Sequence, residues 1–283
     1  MFTNRGIYHQ GWSAVTRHSV PWLFNSKLPK FDEDVWELYA PGDWAQANNI
    51  AAQNLAKLKE VQQLFLLEGA KYNVFPLDDR RIERLIPDLA GRPDLLAGRS
   101  SQTLYPGMSH LNENTVLNIK NRSHAVTAEI TVRDAKASGA IIVQGGRFGG
   151  WCIYLKNGVP AHCYNFLGFN HVYARSMQPL EPGKHTIRYE FKYDGGGVGE
   201  GGTGTLLVDG QKLAEARLMR TVPFIFSGDD FMDIGKDYDA PVTEDYDTPH
   251  GKFTGDISWV RLDIGSDAFE DAAGKAEALI GRS

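Results

Sequence analysis

Acidic side chains crowd one stretch of the chain: Asp229, Asp230, Asp233, Asp237, Asp239, Glu244, Asp245 and Asp247. Hard carboxylate oxygens supplied by one loop are what Ca²⁺ takes, since the ion accepts roughly six to eight oxygens in a flexible geometry. Asp237, Asp239, Glu244, Asp245 and Asp247 are therefore the calcium candidates. The spacing lacks the Asp-x-Asp-x-Asp-Gly loop of an EF-hand, and a solvated acidic loop is the competing reading. Two cysteines offer a second chemistry. Asn157 and Gly158 signal a two-residue hairpin turn between Trp151–Leu155 and Pro160–Phe166, which places Cys152 opposite Cys163 and Leu155 opposite Pro160. Cα atoms at such a hydrogen-bonded pair lie about 5.5 Å apart, close enough for a disulfide without requiring one. Free buried thiols are the expected state, because cysteine is also a common small core residue.

Other motifs are weaker. Histidines 9, 18, 110, 124, 162, 171, 185 and 250 show neither His-x-x-x-His nor His-Glu-x-x-His spacing, and Gly-x-Ser-x-Gly is absent. The glycines from Gly195 to Gly204 lack the Lys-Ser/Thr and helix that a phosphate loop needs, so they read as a flexible hairpin tip. Trp151, Tyr154, Tyr164, Phe166, Phe169 and Tyr173 could form a sugar-stacking face, although aromatics at strand positions more often fill a β-sandwich interior.

These groups must be positioned by strands. His185 to Tyr193 alternates Ile187, Tyr189, Phe191 and Tyr193 with Arg188, Glu190 and Lys192, the period of a strand with one buried face. Asp209 and Gly210 mark a tight turn between Thr205–Val208 and Lys212–Ala216. Further strands are predicted near 103–107, 116–120, 125–132, 140–144, 151–156, 160–166, 172–176 and 253–263, a spacing typical of sandwiches and jelly rolls. Arg5 to Trp12 has hairpin character and Trp36 to Tyr39 alternates. Asp43 is the expected N-cap of an amphipathic helix running through Leu55, Leu58, Val61, Leu64 and Phe65 to about Lys71. The fold class is mainly β: an antiparallel β-sandwich, jelly-roll or concanavalin-like, preceded by a small α+β subdomain. Residues 1–95 form that subdomain, 96–266 the sandwich, and 267–283 a tail with weak helical character.

With 42% hydrophobic residues, 283 residues are enough for a large buried core, and the formal charge of -5 argues against a nucleic-acid-binding face. No apolar run approaches the roughly 20 residues of a membrane span, and no targeting segment is readable. A soluble protein is expected, cytoplasmic or periplasmic.

Several stretches together resemble the C-terminal portion of long-form bacterial arylsulfatases: Asn4 to Thr16, Asp34 to Tyr39, Asn54 to Glu60, Lys71 to Arg80, Asp194 to Gly199 and Arg220 to Phe224. The similarity runs through nearly the whole chain in the same order. It implies an alkaline-phosphatase-like catalytic domain upstream, in cis or as a separate chain, that hydrolyses sulfate esters with a formylglycine and Ca²⁺. The formylglycine arises from the Cys or Ser of Cys/Ser-x-Pro-x-Arg, and this sequence departs there. Cys152 and Cys163 lack the proline and arginine, and Ser19 and Pro21 have the spacing but Leu23 stands where arginine is needed. Asp78 and Asp79 do not correspond to the metal-binding pair, which belongs to the start of the catalytic domain. No catalytic residue or cofactor is thus assigned to this chain, whose expected partner is that domain. The expectation is an arylsulfatase-type fragment inactive alone. The alternative is an autonomous β-sandwich binding module for a glycan or a partner protein.

Overall fold

The structure, a computed structural model, describes residues 3–20, 28–79, 95–246 and 251–269. The chain divides into two compact units, Met1–Arg84 and Leu85–Ser283.

In the first unit β1 (Arg5–His9) and β2 (Trp12–Thr16) form a hairpin, and β3 (Trp36–Tyr39) pairs with β2 to complete an antiparallel sheet of three strands. Helix α1 (Leu55–Lys71) packs Val61 onto Ala14 and Leu38, with Trp12, Trp36 and Leu58 around them. The helix does not begin at Asp43. That carboxylate accepts from the backbone N–H groups of Ala47 (3.0 Å) and Asn48 (2.9 Å), and Asn49 Oδ1 accepts from Leu38 N (3.1 Å) and Ala51 N (3.0 Å). Short polar side chains capture the amides that a helix would have used, and so delay it to Leu55.

The second unit is mainly β. One sheet of six strands has the order β12 (Gln211–Leu218), β11 (Gly202–Val208), β10 (Gly183–Tyr193), β5 (His124–Val132), β14 (Asp256–Ile264) and β4 (Ser101–Leu104). The other has five strands in the order β13 (Met232–Ile234), β6 (Gly139–Gly146), β7 (Gly149–Lys156), β8 (Val159–Phe166) and β9 (Asn170–Arg175). All pairings between these strands are antiparallel. The shared core joins Val126, Ile130, Ile187 and Tyr189 of the first sheet to Trp151, Ile153, Leu155 and Tyr164 of the second, which makes the unit a β-sandwich.

The tight turns lie where predicted. Asn157 (φ 51°) and Gly158 (φ 77°) both take positive φ, and Cys152 pairs with Cys163 and Leu155 with Pro160. The glycines near 200 have a role that a flexible tip does not explain. A Cβ on Gly204 would stand 2.0 Å from the Tyr189 hydroxyl and one on Gly202 2.2 Å from the Phe191 ring, so β11 uses glycine to seat the aromatics of β10. The strand expected at 116–120 is absent: Val116, Leu117 and Ile119 are buried, but Gln102 Oε1 accepts from Leu117 N at 2.9 Å and Asn118 Oδ1 from Lys120 N at 3.1 Å. Strand β13 went unpredicted because it is only three residues long and lies inside the acidic stretch. The tail from residue 270 onward and most of the 76–102 connector, residues 80–94, lie outside the described residues.

Candidate functional site

Period-two alternation sends one set of side chains from β7, β8 and β9 into the core and the other outward. Outward go Cys152 and Tyr154 from β7, Ala161 and Cys163 from β8, and Tyr173 from β9, all packed in a second cluster with Val143, Val242 and Tyr246. Val242 and Tyr246 belong to the acidic stretch. Residues 235–246 therefore run as a strap over the outer face of the five-stranded sheet.

The acidic groups hold this strap down. Asp245 accepts from Lys156 Nζ at 2.8 Å, from the Tyr154 hydroxyl and from the Arg175 guanidinium. Burial pulls the Asp245 carboxyl up, but the hydrogen bonds from Lys156 and Tyr154 and the charges of Arg175 and Lys156 outweigh it and keep the group below the usual carboxylate range. Thr243 Oγ1 lies 3.0 Å from the Tyr173 hydroxyl, and Tyr246 donates to Asp237 Oδ2 at 2.9 Å. Burial pushes the Asp237 carboxyl up to about 7, opposed by the Tyr246 hydrogen bond and reinforced by the nearby Asp233. Its second oxygen has no hydrogen-bond partner.

Beside the strap, edge strand β9 leaves a margin open. His171, Tyr173 and Arg175 share its outward face, while Val172 and Ala174 pack into the core. The His171 ring stacks on Tyr173 (6.4 Å between centroids, 19° between planes), and the Arg175 guanidinium lies 4.5 Å from the centre of the same ring. The β8–β9 turn precedes this strand, and there Phe169 is 85% exposed, next to the β6–β7 turn, where Phe148 is 74% exposed. The fully buried Asn165 side chain ties the two turns together. Its Nδ2 donates to Gly146 O (3.0 Å), Arg147 O (2.9 Å) and, more weakly, Val242 O (3.4 Å), and its Oδ1 accepts from Gly168 N (2.8 Å). Two exposed aromatic rings thus stand on turns that a buried amide makes rigid.

The calcium candidates do not converge. Asp245 is engaged by cations, Asp237 is buried within the strap, Asp239 Oδ1 faces His110 Nε2 at 3.8 Å, and Glu244 is exposed; Asp247 lies outside the described residues. Among the described residues no three His, Cys, Asp or Glu side chains form a group able to hold a metal ion. Asp245 serves as an anchor of the strap, a role that composition alone does not distinguish from metal binding. Of the six aromatics considered for sugar stacking, Trp151, Tyr154 and Tyr164 are buried, Phe166 packs against the core, and Phe169 and Tyr173 reach the outer margin. Cys152 and Cys163 are free, buried strand residues, with no sequence context for conversion to formylglycine.

Two further clusters went unseen in the sequence. In the first unit Asp34 Oδ2 accepts from Arg5 Nη2 at 2.6 Å and lies 2.8 Å from His18 Nδ1, with all three side chains at most 5% exposed. Asn4 Oδ1 binds the N–H groups of His18 and Ser19, which shapes the chain around this ion cluster. Inside the sandwich His162 stacks 3.5 Å from Tyr189, beside a cavity of about 20 Å³ also lined by His124 and Trp151. The alternation of β8 marks His162 as inward-facing, but its stacking partner comes from the opposite sheet.

No family model matches the chain, and no curated protein matches it. Among solved structures, domains LG4-5 of the mouse laminin α1 chain match at 16% identity and a TM-score of 0.35 over 61% of this chain and 40% of that one. The NanB sialidase of Streptococcus pneumoniae matches at 13% identity and 0.41 over 62% of this chain and 27% of that one. The CBM40 of a Ruminococcus gnavus IT-sialidase matches at 14% identity and 0.35, over 64% of this chain and 96% of that one. The chain spans less than two thirds of the length of the laminin and NanB structures it matches.

Proposed function

We propose that the sandwich is a glycan-binding module whose site is the outer margin of β9 and the two turns beside it. The observation that carries this reading is the exposed Phe169 on a turn held by Asn165, at the start of the strand that carries His171, Tyr173 and Arg175. A large ring exposed on a rigid turn gains nothing for folding, and a planar apolar face is what the C–H face of a sugar stacks on. Arg147, Asn170 and Arg175 stand alongside with exposed donors for hydroxyl or acidic groups. A glycan array followed by calorimetric titration of the full chain tests the site. Phe169→Ala should weaken binding at least roughly tenfold, a loss of about 1.4 kcal/mol, and leave the melting temperature unchanged. Absence of any glycan ligand, or equal affinity in the variant, counts against the proposal.

A second reading follows from the arylsulfatase resemblance and is favoured by α1. Leu55, Leu66 and Leu67 are 68%, 56% and 68% exposed on that helix, an apolar surface of the kind that a further domain would cover. On this reading the chain turns over no aryl sulfate alone and binds a hydrophobic dye. Turnover by the purified chain would exclude an inactive fragment, and lack of dye binding would remove the support from α1.

A further inference from the structure

Cys152 and Cys163 face one another across β7 and β8. The pair Lys156 and Val159 flanks a two-residue turn and is hydrogen-bonded; by alternation Leu155 with Pro160 is not, and Cys152 with Cys163 is again. Cα atoms at such a pair are about 5.5 Å apart, inside the usual disulfide range. Both thiols are free, point away from the sandwich core and are 0% exposed. The two thiols neighbour each other, with the Tyr246 phenol beside Cys152 and the Tyr173 phenol beside Cys163. Val242 and Tyr246 of the strap pack over them. Burial first, then the neighbouring thiol, pushes Cys152 well above the ordinary thiol range, so it is unreactive while the strap is closed.

We propose that Cys152 and Cys163 are a site of reversible oxidation to a cross-strand disulfide, with the 235–246 strap controlling access to them. The oxidant is a low-molecular-weight disulfide, RSSR. Once the strap opens, one cysteine thiolate attacks RSSR, forms a mixed disulfide and expels RS⁻. The second cysteine thiolate then attacks the protein sulfur of that mixed disulfide and expels the other RS⁻. The two cysteine protons pass to the two RS⁻, so two CysSH and RSSR become one Cys–Cys disulfide and two RSH. The proposal is independent of what the outer margin binds.

The test incubates the full chain with oxidised glutathione, alkylates remaining thiols, and reads intact mass and mapped peptides. The expected product is a Cys152–Cys163 link, lighter than the reduced chain by two hydrogens, restored by dithiothreitol, and absent from Cys163→Ser. Asp245→Asn, which weakens the anchoring by Lys156 and Arg175, should speed its formation roughly tenfold. Lys156→Ala should act in the same direction and serves if the first variant folds poorly. A link in the variants alone supports the proposal as well. Two alkylated thiols in every protein, or stable glutathione adducts in place of the link, would overturn it, and equal rates in wild type and variants would overturn control by the strap.

Discussion

The two outer faces of the sandwich begin from the same antiparallel alternation and are finished differently. On the six-stranded sheet most outward residues are charged or hydroxylic and satisfy one another locally, although Leu207, Trp259 and Ala125 share that face. Arg188 Nε donates to Glu190 at 2.7 Å and its Nη1 to Thr127 at 2.7 Å, Arg261 pairs with Asp263 at 2.8 Å, and an open groove runs between Arg188, Thr203, Glu215 and Asp263. On the five-stranded sheet the outward residues are Cys152, Tyr154, Ala161 and Cys163, and a strap covers them. The first face needs only water, whereas the second has too much apolar surface to leave bare. Its covering meets β9 only at Tyr173 and Arg175, and His171 and the exposed Phe169 lie beyond it.

Protonation separates the core from the strap most sharply. His124 lies at the core cavity, and burial pulls it down to about 4 despite backbone carbonyls of Arg122 and Ile119 that favour the protonated ring. Its folded pKa is below the unfolded value, so its contribution to stability is present above about pH 6.5 and is lost as pH falls towards 4, by roughly 2 to 3 kcal/mol. His162 is depressed in the same direction, by burial first. Asp237 has the opposite sign: a carboxyl raised to about 7 stabilises below its unfolded pKa near 4 and loses that contribution as pH rises through 7. The wild-type slope between pH 4 and 7 should therefore be partly cancelled, and Asp237→Asn should unmask a steeper loss on acidification. Urea unfolding at both ends of that window decides it, and equal slopes in the two proteins would break the contrast.

Mutations should follow in descending order. Asn165→Ala leaves buried carbonyls at Gly146 and Arg147 without their donor and should cost roughly 2 to 3 kcal/mol in urea unfolding. Asp245→Asn should cost roughly 1 kcal/mol and raise hydrogen exchange in 235–246 while leaving the other sheet unchanged. Arg188→Ala, on the open face, should stay within about 0.5 kcal/mol of wild type, because exposed pairs contribute little. A cost for Arg188→Ala matching that for Asp245→Asn would show that the strap is no more than another surface.

The alternation of Ile187, Tyr189, Phe191 and Tyr193 and the turn pairs Asn157–Gly158 and Asp209–Gly210 were legible in the sequence. These signals depend on neighbours a few residues away, and they determined the mainly β fold, most of the strands and the pairing of Cys152 with Cys163. Strand 116–120 and the helix start at Asp43 misled because polar side chains compete for the same backbone amides, locally through Asp43 and Asn49 and, for Leu117, through Gln102 from another segment. The candidate site was legible only as ingredients. Phe169 and Tyr173 shared one list with Trp151, and Asp245 another with Asp237, since composition does not say which face of a strand will be covered. Tertiary structure decided that by laying 235–246 over β7 and β8 as far as Tyr173 and Arg175 of β9, because anchoring Asp245 requires Lys156 and Tyr154 from β7 and Arg175 from β9 at once.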